Sequence, residues 1–170
     1  MKTHNFIILG VSGAGKSSIA KNLSLHSNLK YVDADKFHTV KNKKKMRMGV
    51  ELTEKDRIPW LRKISKFLKY KEKNWVLACS TLKQKHRNIL LEYFGNITLI
   101  WLDSSFNNIV TRVNKRRNHF FSSNLIQSQF DSFEAPELCF RIETNKPLHI
   151  VKLRTRNFVR LKLKSFNLLS

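Results

Sequence analysis

Apolar positions come in short blocks set between polar stretches, and the blocks alternate in kind. Asn5 to Leu9 is rich in Ile and Phe and closes at Gly10, the pattern of a buried strand. Gly10 to Gly15 is a glycine-rich turn. Lys16 to Leu25 then puts Ile19, Ala20 and Leu23 on one face, which predicts a helix. Leu29 to Val32 reads as a second strand running into Asp33-Ala34-Asp35. Lys36 to Met48 is polar, basic and helical in part. Thr53 and Asp56 have capping-box spacing, and Ile58, Leu61, Ile64, Phe67 and Leu68 follow at helical intervals. Pro59 fits that helix only near its start. Trp75 to Cys79 and Ile97 to Leu102 read as further strands, followed by helices over Leu82 to Tyr93 and Ser105 to Lys115. Leu125 to Phe133 reads as another helix and Cys139 to Ile142 as the fifth candidate strand. Beyond Pro147 a final helix fits best. Two short strands, Ile150 to Leu153 and Phe158 to Leu163, fit the alternation as well.

This alternation argues for an α/β fold of three layers, a parallel sheet of about five strands with helices on both faces. There is no internal repeat and no linker composition. Residues 1–170 therefore read as one domain, with an atypical tail over 149–170. No apolar run approaches the ~20 residues that cross a bilayer, and Asn5 to Gly10 is too short for a signal peptide. Cys79 and Cys139 read as two buried free thiols of a cytoplasmic protein. The formal charge of +21 is the unusual feature. It would attract polyanions, but no RNA-binding aromatic signature or zinc-finger spacing accompanies it. Abundant Lys, Asn, Ile and Phe point instead to a composition shaped by A+T-rich codons, so a nucleic-acid partner is not expected.

The chemistry starts at Gly10-Val11-Ser12-Gly13-Ala14-Gly15-Lys16-Ser17, a full Walker A pattern between a predicted strand and a predicted helix. Its backbone N–H groups and the helix N-terminus, out to Ser18, are suited to cradle the phosphates of ATP. Lys16 would reach the β- and γ-phosphates and Ser17 would offer its hydroxyl to Mg²⁺. Asp33 and Asp35, two apart on an extended segment at a strand's carboxyl end, would point the same way. One would hold Mg²⁺ through water and the other would orient or deprotonate an acceptor hydroxyl. Lys83 and Arg87, four apart, would share a helix face and suit an anionic acceptor. Arg112 and Arg116 have the same spacing where small kinases carry a lid. His38 and His119 lack metal-ligand spacing.

Several strings beyond the Walker motif resemble the bacterial-type gluconate kinases (gluconokinases). They are Asp33-Ala34-Asp35 with Phe37-His38, Asn42, Lys45-Met46, Gly49 and Leu52; Asp56-Arg57-Ile58-Pro59-Trp60-Leu61; Cys79-Ser80-Thr81-Leu82-Lys83 with Arg87; Arg112, Arg116 and His119-Phe120-Phe121; and Ser128-Gln129-Phe130 with Glu134 and Pro136. The match spans roughly residues 5–148. Thr39 stands where that family usually has Pro, Asn118 replaces the lid's usual Gly, and the tail lacks the family's acidic-apolar pattern. The resemblance implies a nucleoside-monophosphate-kinase-like fold with a lid at about 113–136, a homodimer, and ATP-dependent phosphorylation of D-gluconate at its 6-hydroxyl. It would put Asp35 on the acceptor hydroxyl, His38, Arg57, Lys83 and Arg87 around the acceptor, and Arg116 in the lid. Another acid such as shikimate stays open as acceptor, although the Asp56 to Leu61 motif disfavours it. A basic nucleic-acid-binding P-loop module and a kinase of decayed activity are the remaining alternatives.

Overall fold

The computed structural model describes residues 4–115 and 123–168. Five parallel strands form one sheet in the order β2-β3-β1-β4-β5: β1 Asn5–Leu9, β2 Lys30–Asp33, β3 Trp75–Ala78, β4 Ile97–Asp103 and β5 Phe140–Glu143. β1 is central, pairing Phe6 with Val76 on one side and with Thr98 on the other. Every β1 residue is buried, as a strand covered on both faces requires.

Strand alternation divides the core. Phe6 and Ile8 point to one face with Ile19, Ala20 and Leu23 of α1 (Lys16–His26), Ile109 and Val113 of α5 (Phe106–Asn114), and Val151 and Val159 of α7 (Leu148–Leu168). Ile7 and Leu9 point to the other, against Trp60, Leu61, Ile64 and Leu68 of α3 (Glu54–Lys69) and Leu90 of α4 (Gln84–Leu91). Burying each such aliphatic side chain is worth about 1.5–3 kcal/mol. Short α2 (Val40–Arg47) precedes α3, and α6 (Ser123–Asp131) precedes β5.

Three expectations change, and the final helix expected beyond Pro147 holds. Phe67 is 40% exposed rather than in the core, because it caps the α3 surface against Phe37 and under the Lys71 ammonium. Pro59 lies past the first turn of α3, on the exposed side, where its missing N–H leaves only a solvent-facing carbonyl without a helical partner. Cys139 is only partly buried, its thiol directed at the Pro136 carbonyl. The tail is one helix: Val151, Thr155 and Val159, four apart, are buried, and Phe158 stacks on Phe140 of β5 with ring centroids 3.8 Å apart. Among the described residues no helix is long and apolar enough to cross a membrane.

Candidate active site

The carboxyl ends of β1, β2 and β3 converge on one cleft, the usual ligand side of an open parallel sheet. The loop after β1 is built for close approach. A Cβ on Gly10 (φ 140°) would come 2.7 Å from the Leu102 carbonyl oxygen. Gly15, left-handed at φ 99°, stands at the N-cap of α1. That helix has no side-chain cap and no acidic residue in its first turn, so its free N–H groups are left for an external anion. The Lys16 ammonium lies over the loop, donating to the Gly10 and Val11 carbonyls at 3.0 and 2.9 Å. A partner distant in sequence completes the loop: the Ser12 N–H donates to Oε1 of Gln129 (2.7 Å), whose amide donates back to the Ser12 hydroxyl (3.1 Å).

Asp33 and Asp35 do not lie side by side on an extended segment. Asp33 ends β2 and caps the 3-10 turn Ala34–Phe37, its Oδ1 accepting the Asp35 N–H at 3.1 Å. Its Oδ2 accepts the Tyr31 hydroxyl at 2.7 Å. That turn re-aims Asp35 into the cleft, where its carboxyl is held above the usual range. Burial among protein atoms is the main cause. The Asp33 charge adds to it, and the Lys16 and Lys43 ammonium groups oppose it. The Tyr31 phenol is pushed up to about 12, chiefly by burial and its bond to Asp33, with Ser17 pulling the other way.

His38 is buried and stacked on Trp60, ring centroids 4.1 Å apart and planes 14° from parallel, and the Trp60 indole N–H is fixed on the Ala34 carbonyl at 2.8 Å. Burial, then Arg57 and Lys43, lower the imidazole to about 4, so it is neutral at physiological pH. Its Nδ1 has no hydrogen-bond partner among the described residues. The first turn of α3 supplies Arg57, whose Nε donates to the Leu52 carbonyl at 3.0 Å. Asp56 secures that turn by accepting the Thr53 N–H (3.0 Å) and the Lys45 ammonium (2.6 Å), and with Lys45 as first cause its carboxyl falls to about 2.

The remaining basic residues divide. Lys83 is the N-cap of α4 and stands outside the helix, 3.8 Å from Glu54, beside a second cavity of about 250 Å³ that shares Arg57 with the cleft. Arg87 does not reach the cleft. It is buried, donating to the Thr81 and Leu82 carbonyls at 3.1 and 3.0 Å and to Gln84, and so organises the turn after β3. Arg112 lies on α5 and donates to the hydroxyl and carbonyl of Thr144, joining α5 to the turn after β5. Arg116, Asn118, His119, Phe120 and Phe121 lie outside the described residues.

Three contributors carried no role in the sequence reading. Trp60 and Gln129 were visible only as members of motifs, and Glu51 was not visible at all. Their partners, His38, Ser12 and Arg57, are fixed by the fold rather than by spacing.

Residues 12–141 match the family model for shikimate kinase. The thermosensitive gluconokinase of Escherichia coli (strain K12) is 35% identical over 140 residues, covering 81% of this chain and 75% of that one. The gluconokinase of Arabidopsis thaliana is 39% identical over 146 residues, covering 76% and 77%. The chain belongs to the gluconokinase family. A gluconokinase structure from Sinorhizobium meliloti 1021 superposes with a TM-score of 0.89 at 27% identity, covering 98% of this chain and 97% of that one. Gluconokinase family membership makes the chain an ATP-binding P-loop kinase.

Proposed function

We propose that the protein transfers the γ-phosphoryl group of ATP to the 6-hydroxyl of D-gluconate, giving 6-phospho-D-gluconate and ADP. The observation that carries this reading is the convergence of Lys16, Asp35, His38 and Arg57 in a single cleft. They offer a cation at the phosphate loop, a carboxylate poised for a hydroxyl proton, a neutral hydrogen-bonding ring and a cation for a carboxylate. The acceptor's identity follows from the named relatives.

In this reading Gly10 to Ser18 holds the phosphates and Lys16 neutralises charge on the transferred group. Asp35 orients the acceptor hydroxyl and takes its proton. A carboxyl whose pKa is raised by burial is, in its ionised form, a stronger base for that task. His38 and Arg57 hold the sugar acid, with Lys83 at its outer edge. Arg116 keeps its place in the lid as part of the proposal. Mg²⁺ fits the hard oxygen donors of Ser17 and Asp33. Among the described residues no cluster of three or more His, Cys, Asp or Glu competes for it, as suits a cation carried mainly by nucleotide phosphates. When bound, Mg²⁺ supplies charge neutralisation across the β- and γ-phosphates. Asp33, whose oxygens accept the Tyr31 hydroxyl and the Asp35 N–H, would hold the cation through water. A cytoplasmic homodimer of single-domain subunits completes the proposal.

The test is ADP release with Mg-ATP and a panel of gluconate, shikimate and other sugar acids, with Lys16→Ala as the blank. Gluconate-dependent turnover that vanishes in the blank supports the reading, whereas turnover with shikimate alone overturns the acceptor. Asp35→Asn is expected to lose at least about 100-fold in kcat while ATP affinity measured by calorimetry holds. Near-normal turnover would remove Asp35 from the mechanism.

A further inference from the structure

The cleft contains a carboxylate that an acid-binding site does not obviously need. Glu51 sits in the loop between α2 and α3 and lines the same cavity as Lys16, Asp35 and Arg57. Its Oε1 lies 3.6 Å from an Arg57 terminal nitrogen, and its Oε2 accepts the Ser128 hydroxyl of α6 at 3.0 Å. The next residue, Gln129, holds the phosphate loop through Ser12. Consecutive side chains of α6 are therefore tied to opposite walls of the cleft, and the wall away from the phosphates is held through Glu51.

Arg57 is the residue assigned to the substrate's carboxylate, and Glu51 already faces it. Two carboxylates competing for one guanidinium edge repel each other. The Glu51–Arg57 contact is easily given up. It is long for an ion pair, Glu51 is 53% exposed, and exposed pairs lie at the weak end of ionic interactions. Arg57 keeps its place without Glu51, because its Nε is anchored separately on the Leu52 carbonyl.

We propose that Glu51 is a resident stand-in for the substrate's carboxylate, neutralising Arg57 until a sugar acid displaces it and thereby setting the protein's affinity for acidic acceptors. It is a positioning residue that acts through Arg57, with Ser128 holding it in place. The proposal rests on the sugar-acid reading of the cleft. It adds to that reading a selectivity device, since the competition weakens binding of anions and leaves uncharged polyols unaffected.

The experiment compares wild type with Glu51→Gln, Glu51→Asp and Ser128→Ala, using Mg-ATP, D-gluconate and D-glucitol as an uncharged competitor. Glu51→Gln is expected to lower KM for gluconate about three- to fivefold, with kcat moving less than KM and the glucitol inhibition constant unchanged. The gain should shrink at high salt. Glu51→Asp should return KM toward the wild-type value, and Ser128→Ala should show part of the decrease. An unchanged KM in Glu51→Gln overturns the proposal. So does a raised KM, which would make Glu51 an acceptor for a sugar hydroxyl. Wild-type protein that turns over no gluconate overturns the acceptor reading itself, and this proposal with it.

Discussion

His38 and Asp35 face the same cleft, and burial drives their acidities in opposite directions. The neutral imidazole is favoured, with its pKa down from 6.5 to about 4, and so is the neutral carboxyl, with its pKa raised from 3.8. For His38 the unfolded chain binds more protons than the folded protein between those two values. Its contribution to stability is therefore present above about 6.5 and lost as pH falls toward 4. Replacing it by Gln should flatten that part of the profile of Tm against pH, which thermal melts from pH 7 to 4 would read. For Asp35 the consequence appears in turnover. The acid limb of kcat/KM should lie above 3.8, because the ionised form is the base, and it should be absent from any residual activity of Asp35→Asn. The sequence offered both residues as candidates by type and position. It did not offer their environments, because Trp60 beneath the imidazole and Lys16 near the carboxylate arrive from other elements.

At the scale of elements, α4 shows how spacing misleads. Lys83 and Arg87 are four apart, and that interval would align them on one helix face. The helix starts at Gln84, so Lys83 stays outside, and the Arg87 guanidinium turns back onto the carbonyls that precede the helix. Three acceptors converging on one buried side chain leave no periodic trace in the sequence. Arg87→Met should cost about 3 kcal/mol in chemical denaturation, because it strands buried carbonyls, while KM for gluconate stays near wild type in the folded protein. Arg57→Lys should do the reverse, with little loss of stability and a KM about tenfold higher, since an ammonium cannot reproduce the fork of a guanidinium. By contrast, β1, the phosphate loop and α1 were readable in full. There local pattern, turn chemistry and tertiary role agree.

Across the whole molecule, the tail is the part where apolar content and burial disagree most. Leu153 and Leu161 are exposed, whereas Val151, Thr155 and Val159 face the core and α7 packs along α1. Counting apolar residues there left helix and strand both open, and only the four-residue interval of the buried set separates them. Val159→Ala should destabilise by about 2 kcal/mol. Removing residues 147–170 should abolish the cooperative thermal transition, since it uncovers the same core face that supports the phosphate-loop helix. A truncated chain with a wild-type melt would show that α7 is dispensable. The charge of +21 entered the sequence reading as composition, and the structure concentrates part of it on α7, a 21-residue helix with many Lys and Arg and no acid.

The central place of β1 has a consequence for the chain as it is made. Its five residues, four of them apolar, leave the ribosome before either neighbour exists, since β3 begins at Trp75 and β4 at Ile97. Both edges of the strand, and both of its greasy faces, must wait for chain synthesised seconds later. The segment at the heart of the finished sheet is thus the most adhesive part of the unfinished protein. Its yield in cells should depend on the holdase chaperones that shield nascent strands and on the pace of translation through the first hundred or so codons.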